Sequence, residues 1–221
     1  MSKKIQVGKK ILSANEEYAQ QNSKFFAKNK KLCLNMISSP GSGKTTILTK
    51  TIIEINGQLN IGVIEGDIRT ELDAQRIRKT NAPAVQIETQ GACHLSASQV
   101  TGAIDKLPTD KLDLIFIENV GNLVCPTAFE LGENAKVVVL SVPEGDDKPA
   151  KYPAIFAKSK AMLINKIDLL TAVDFDVDKV VAQAKKLNPD IEIFQVSAKT
   201  GQGFDNWCNW LVDLVGQLRL Q

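Results

Sequence analysis

The chain has one histidine, no apolar run of bilayer length and almost no charge imbalance, with 27 Lys and Arg against 25 Asp and Glu and a net charge of +2. Each shortage excludes something. A near-neutral balance provides no broad basic field to hold a nucleic-acid backbone, so no nucleic acid is expected as a partner. The lysine-rich start, Met1 to Lys10, is followed by no apolar segment of signal-peptide length, and no stretch approaches a membrane span. No membrane association is expected, and the expected compartment is the cytoplasm. Internal repeats, low-complexity tracts and glycine/proline linkers are also missing, so nothing marks a boundary between large domains. The 221 residues, 43% of them hydrophobic, suffice for one substantial core.

Cysteine is scarce too: Cys33, Cys93, Cys125 and Cys208. In a reducing compartment four cysteines are expected to be free or metal-bound rather than paired. Cys33, inside Leu32-Cys33-Leu34, and Cys208, beside Trp207, read as small apolar core residues. Cys93 and Cys125 have different surroundings, described below.

What is present begins with a helical pattern. Ile5 to Asn29 carries Val7, Ile11, Tyr18, Phe25 and Phe26 at roughly helical spacing among Lys, Glu and Gln, which predicts an amphipathic helix laid against the body. From Leu32 onward, apolar runs at 32–37, 61–64, 84–87, 112–117, 137–142, 161–164 and 191–196 alternate with helical stretches. Alternation of this kind predicts an α/β fold, a mostly parallel sheet with helices on both faces. Two late helices show a 3.6-residue period: Val177, Val180, Val181, Ala184, Leu187, and then Phe204, Trp207, Cys208, Leu211, Leu214, Val215, Leu218. The expected organisation is an N-terminal helix over 1–30 and a nucleotide-binding domain over 31–221.

Ser38-Ser39-Pro40-Gly41-Ser42-Gly43-Lys44-Thr45 lies between the first apolar run and a helical run that begins at Thr46. A strand, a glycine-rich turn and a helix start make a phosphate cradle, in which backbone N–H groups and the positive helix end face a polyphosphate. Lys44 reaches the outer phosphates and the Thr45 hydroxyl can ligate Mg²⁺. The pattern departs from G-x-x-x-x-G-K-[ST] only at its first position, where serine replaces glycine. Nucleoside triphosphate binding through Pro40, Gly41, Ser42, Gly43, Lys44, Thr45 and Thr46 is expected.

Asn165-Lys166-Ile167-Asp168 and Ser197-Ala198-Lys199 each follow a predicted strand, in the places and spelling of the base-reading elements of the G-protein superfamily. A carboxylate at Asp168 accepts hydrogen bonds from N1–H and the exocyclic amine of guanine, a pair that adenine does not offer. GTP is therefore the expected nucleotide. The Lys166 stem lies on the purine, Asn165 braces the loop, and the Ala198 backbone reaches the guanine oxygen. Two further segments can face the terminal phosphate. Glu65-Gly66-Asp67 offers Asp67 as a carboxylate near Mg²⁺, or alternatively as an acid that complements the dipole of the next helix. In Glu118-Asn119-Val120-Gly121, Glu118 would hold a metal-bound water and the Gly121 N–H would bond the γ-phosphate. Lys44, Asp67 and Glu118 are the expected catalytic groups, with Mg²⁺ near Thr45, Asp67 and Glu118. Asn122 stands where a glutamine would orient an attacking water, so slow intrinsic hydrolysis is expected.

The single histidine, His94, adjoins Cys93, and Cys125 lies four residues past Gly121. Thiolate and imidazole are preferred ligands of late first-row divalent metals, and their softness suits Zn²⁺ and Ni²⁺ about equally. The alternative is a helix cap at 93–94 and a buried thiol beside Pro126. Cys125 lies at most about 14 Å from Gly121 along the chain. Loss of the γ-phosphate would thus move the 121–125 loop and alter metal affinity. Three ligands leave the site one short of a closed tetrahedron, to be completed by water, a transfer partner or a second copy of the chain.

Taken together, Ser39 to Thr46, Glu65-Gly66-Asp67, Cys93-His94-Leu95, Ile117-Glu118-Asn119-Val120-Gly121-Asn122-Leu123-Val124-Cys125-Pro126, Glu144-Gly145-Asp146-Asp147 and Asn165-Lys166-Ile167-Asp168 closely resemble the HypB family of hydrogenase nickel-incorporation GTPases. The likeness covers essentially all of the chain after residue 30. It implies a P-loop GTPase that dimerises when GTP is bound and places a metal at the subunit boundary through Cys93, His94 and Cys125. It also implies delivery of nickel to the large subunit of [NiFe] hydrogenase together with a HypA-type nickel chaperone, and a Lys151 that reaches the guanine held by the other subunit. Some family members carry an N-terminal Cys-x-x-Cys-Gly-Cys site or a histidine-rich tract. Residues 1–30 here contain no Cys and no His, which leaves metal handling to the interior trio. Two competing readings remain. One is a sibling cofactor-loading GTPase of the urease-accessory (UreG) or cobalamin-enzyme (MeaB) type, against which the Cys93-His94 and Cys125 contexts speak. The other is a GTP switch with a purely structural zinc, whose removal would cost folding stability where loss of a cargo ion would not.

Overall fold

The structure is a computed structural model that describes the backbone of residues 7–67 and 72–220 and the side chains of 14–66 and 72–220. In chain order the elements are α1 (Val7–Lys28), β1 (Leu32–Ser38), α2 (Lys44–Glu54), β2 (Ile61–Asp67), α3 (Leu72–Arg78), β3 (Ala84–Glu88), α4 (Ala97–Ile104), β4 (Leu114–Gly121), α5 (Cys125–Ala128), β5 (Ala135–Ser141), α6 (Lys148–Lys151), α7 (Pro153–Lys158), β6 (Ser159–Asn165), α8 (Val177–Leu187), β7 (Glu192–Gln195) and α9 (Phe204–Leu220). The strands form one sheet in the order β3-β2-β4-β1-β5-β6-β7, and every pairing is parallel. This is the α/β architecture expected from the alternating pattern.

Successive side chains of a strand face opposite sides of the sheet. Leu34 and Met36 of β1 accordingly pack with α2 and α9 around Trp207, whose indole N–H donates to Thr51 Oγ1 at 2.9 Å. On the opposite face, Cys33 packs with α1 and α4 around Phe26 and Val100, while Ile37 packs with α7 and α8 around Phe156 and Val180. Every residue of β1 is buried, as a central strand covered on both sides requires. Cys208 is buried as well.

Two strands run further than their apolar stretches. β2 continues through Glu65 to Asp67 and β4 through Glu118 to Gly121, because the parallel ladders pair Glu65 with Glu118 and Ser38 with Gly121. Apolar patterning stops at Ile64 and Ile117 because the ends of these strands carry polar groups. The connection after β1 leads to one side of the sheet and that after β5 to the other, so a crevice opens at the carboxyl end of β1.

In α1 the buried stripe is Asn15, Ala19, Asn22 and Phe26, spaced i, i+4, i+7, i+11. Tyr18, expected on the packed face, lies to one side of this stripe and is 42% exposed. Half of the stripe is asparagine, and a search for apolar periodicity passes over it. The side chains of Val7 and Ile11 lie outside the described residues, as do residues 1–6 of the expected helical segment.

Candidate nucleotide and metal site

Gly41 and Gly43 both hold positive φ, +77° and +95°, so the turn after β1 winds back onto the first residue of α2 without the penalty a side chain would bring. A Cβ at Gly43 would lie 2.6 Å from Asn165 Nδ2, so the phosphate turn and the base loop touch there. Ser38, the departure from the usual loop pattern, is buried and gathers neighbours. Its Oγ accepts from Lys44 Nζ at 2.8 Å and from Ser42 Oγ at 2.6 Å, and donates to Ser39 O at 2.7 Å. Burial pushes the Lys44 ammonium below its ordinary pKa, and the carboxylates of Glu118, Asp73, Glu144 and Glu65 oppose that shift. Thr45 Oγ1 donates to Glu118 Oε1 at 2.8 Å across the crevice. A hydroxyl and a carboxylate held together beside a phosphate turn are a donor set that suits a hard cation such as Mg²⁺.

The crevice has a volume of about 650 Å³ and is walled by the phosphate turn, Glu65, Asp73, Glu118, Gly121 and Cys93. Asp67 ends β2, but its side chain lies outside the described residues, so the carboxylate seen beside Glu118 is Glu65. Sequence reasoning passed over Glu65 in favour of Asp67, and nothing in the string Glu65-Gly66-Asp67 separates the two without the β2–β4 register.

The base loop forms a second, smaller recess of about 200 Å³, lined by Gly43, Thr46, Asn165, Lys166, Asp168 and Lys199, among others. Lys166 takes a left-handed backbone conformation, φ +64°, and its Nζ donates to Gly41 O at 2.6 Å. Asn165 Nδ2 donates to Ser42 O at 2.9 Å, and its Oδ1 accepts from Ala198 N at 3.1 Å. One asparagine therefore braces both the phosphate turn and the Ser197 loop, and it occupies the Ala198 N–H that was expected to face guanine. Ser197 Oγ donates to Asp168 Oδ1 at 2.6 Å, fixing the carboxylate at the recess.

Cys93, His94 and Cys125 converge from two separate connections. Their ligand atoms all lie within 4.8 Å of one another, Cys93 exposed and the other two half-buried. The Cys93 thiol shares a hydrogen bond with that of Cys125, which raises its pKa. Desolvation lowers the pKa of His94, favouring the neutral imidazole that binds metals, and its ring stacks on Phe129 at 3.8 Å. Neither Cys93 nor His94 caps α4, since Ser96 does so in a reciprocal bond with Gln99. Asn122 turns back into its own loop, where its Oδ1 accepts from Val124 N at 2.7 Å and Cys125 N at 3.3 Å. That turn sets the position of Cys125.

The profile of the CobW/HypB/UreG nucleotide-binding domain matches residues 33–195, which include the phosphate turn, the Cys/His trio and Asp168. Hydrogenase maturation factor HypB of Escherichia coli (strain K12) is 52% identical over 201 residues, 91% of this chain and 69% of that protein. This chain belongs to the HypB family of GTPases. Hydrogenase/urease maturation factor HypB of Helicobacter pylori (strain J99) is 42% identical over 218 residues, covering 96% of this chain and 89% of its own length. The crystal structure of HypB from Helicobacter pylori in complex with nickel has a TM-score of 0.88 at 40% identity, over 92% of this chain and 96% of that one.

Two residues of this HypB-family chain are placed by the structure outside the phosphate and base contacts themselves. Lys151 closes α6; it pairs with Asp147 at 2.5 Å and lines an apolar groove with Leu123, Val124 and Tyr152, outside the recess formed by its own base loop. Asn119 was given no role, yet its buried Oδ1 accepts from Leu95 N at 3.3 Å and so joins the phosphate-facing strand to the residue after His94. Gly121 matters through close approach: a Cβ there would meet Pro40 Cγ and N at 2.8 Å. Gly121→Ala must force β4 and the phosphate turn apart at a cost of about 1–3 kcal/mol. Titration with a fluorescent GTP analogue should show affinity lowered about tenfold.

Proposed function

We propose that this chain is a GTP-hydrolysing metallochaperone that carries nickel during the maturation of [NiFe] hydrogenase. The observation that supports this most is that Cys93, one of three converging soft ligands, walls the same crevice as Lys44, Thr45 and Glu118. Lys44 and the backbone of the 40–46 turn bind the polyphosphate, and Asp168 with Lys166 and Lys199 binds guanine. Thr45 and Glu118, with Glu65 alongside and Asp67 as a further candidate, would hold Mg²⁺, which neutralises phosphate charge when bound. Asn122 stands where a glutamine would orient water, and its Oδ1 is engaged by the Cys125 turn, which supports slow unassisted hydrolysis.

Coupling between the sites runs through β4. Glu118 and Gly121 face the phosphates, Asn119 between them holds Leu95, and Gly121 is joined to Cys125 by the Asn122 turn. A change at the terminal phosphate therefore reaches both halves of the Cys/His trio. The trio's half-exposed position suits a cargo ion better than a structural one. GTP-dependent homodimerisation would supply the missing fourth ligand and bring Lys151 to the other subunit's guanine, and a HypA-type nickel chaperone and the hydrogenase large subunit are the partners. Among the described residues no helix is long and apolar enough to cross a membrane; the proposed compartment is the cytoplasm.

Nickel titrations of the GDP form and of a form loaded with a non-hydrolysable GTP analogue, each with its mass measured in solution, test this reading. The expected result is a different Ni²⁺ affinity in the two states and a doubled mass with the analogue. Equal affinities at unchanged mass would overturn it.

A further inference from the structure

The Cys/His trio is assembled from two connections that share no covalent support, and α1 touches both. Asn15 Oδ1 accepts from Ala97 N at 2.8 Å, three residues past His94, while its Nδ2 donates to Glu130 O at 2.8 Å, five residues past Cys125. About two turns along the helix, Asn22 repeats the arrangement. Its Nδ2 donates to Ala97 O at 3.0 Å and to Leu131 O at 2.8 Å, and its Oδ1 accepts from Thr101 Oγ1 at 2.8 Å. Asn22 is only 2% exposed. Both side chains thus bridge the start of α4 to the 130–131 segment, on the face of α1 where apolar residues would suffice for packing alone.

The backbone repeats the message. Gly132 holds φ +89°, and a Cβ there would meet Ala19 O at 2.4 Å and Ser23 N at 2.8 Å, so the segment after Cys125 lies directly against the α1 main chain. Leu131 N also donates to Glu133 Oε2 at 2.7 Å, and Asn35 Nδ2 donates to Glu133 Oε1 at 2.9 Å, which ties the same segment to β1. Phe129, the residue before Glu130, stacks on the ring of His94, which carries one of the ligand atoms. A displacement of either segment along α1 therefore changes the separation of Cys125 from Cys93 and His94.

We propose that Asn15 and Asn22 are positioning residues for the metal site: α1 is a clasp that sets the spacing of the two ligand-bearing segments for a thiophilic divalent cation. This rests on the metal reading above. Buried amides that orient ligand-bearing backbone resemble the outer partners of metal ligands, whose loss typically costs about 10–100-fold in affinity. Neither asparagine lines the phosphate crevice or the base recess, so the clasp makes none of the contacts that would hold GDP.

The test uses the full chain in its GDP form with Ni²⁺ alone as the probe, read by titration and by the thiolate-to-nickel charge-transfer band. Asn15→Ala/Asn22→Ala is expected to bind Ni²⁺ about 100-fold more weakly with an altered band, and Asn15→Ala alone about tenfold more weakly, with GDP affinity unchanged in both. If the double variant does not fold, Asn15→Ala decides. Phe26→Leu loosens the same helix by removing ring contacts with Cys33, Val100 and Leu131 while keeping every clasp bond, and should leave affinity and band at the wild-type values. Wild-type binding in the asparagine variants, or equal weakening in Phe26→Leu, would overturn the clasp. A wild-type chain that binds no Ni²⁺, or whose band survives Cys125→Ser, would instead overturn the metal reading beneath it.

Discussion

A Cys125→Ser protein should lose nickel affinity by more than about 100-fold while its GTP affinity and melting temperature stay near those of the unaltered chain. Removing an outer partner of a metal ligand costs about 10–100-fold, and removing the ligand itself must cost more. Serine is nearly isosteric with cysteine but offers a hard, protonated oxygen where a soft thiolate is wanted. Two adjacent residues, Cys93 and His94, would then remain, and they come from one segment alone, so the chelate that joins two connections would be gone. The backbone is spared: the Asn122 Oδ1 bonds to Val124 N and Cys125 N do not involve the sulfur. Nickel titration followed through the charge-transfer band, with a thermal melt in parallel, checks this. Retained affinity would mean that the ion sits elsewhere. A large fall in melting temperature would mean that the sulfur supports the fold.

The same residue shows what the sequence could and could not tell. Softness of the donors was legible from residue type, and nearness to Gly121 from a short tether. Convergence with Cys93 and His94 was not, because it depends on how the connection after β3 meets the one after β4, and that is decided by the order of strands in the sheet. Strand number and parallel sense followed from apolar runs alternating with helical periods, since central strands buried on both faces leave an unmistakable record in β1. Their carboxyl ends did not, because Glu65 and Glu118 are buried polar groups inside regular ladder positions, where hydropathy predicts a loop. The asparagines of α1 escaped for a related reason. Amphipathic patterning ranks Tyr18 above Asn15 and Asn22, whereas burial follows the available backbone partners, Ala97, Glu130 and Leu131. Short strings whose chemistry is local, such as the phosphate turn and Asn165 to Asp168, were readable. Relations between segments were not.

Base selectivity should reside in Asp168, and Asp168→Asn should lower GTP affinity by about 100- to 10,000-fold, the loss of two hydrogen bonds to a charged acceptor at about 1.5–3 kcal/mol each. The loop geometry makes the outcome sharp. Ser197 Oγ donates to Asp168 Oδ1, and Ser197 Oγ in turn accepts from Thr200 N at 3.2 Å, so the hydroxyl proton is committed to residue 168. In Asp168→Asn the amide oxygen keeps that bond, which turns the NH₂ toward the purine. Guanine presents two donors there, N1–H and the 2-amine, and one of them must then oppose another donor. Xanthine differs from guanine in carrying a carbonyl at C2, so its N1–H and C2 oxygen match an amide that offers one acceptor and one donor. Competition titrations with GTP, ATP and xanthosine triphosphate should therefore show the variant preferring the xanthine nucleotide, with ATP weak throughout. Because Asn165 and Lys166 hold the phosphate turn through Ser42 O and Gly41 O without using Asp168, the change should alter which base is chosen and leave the triphosphate contacts intact. Retention of GTP affinity within a few-fold would remove Asp168 from base recognition and, with it, the physical basis for preferring guanine at this recess.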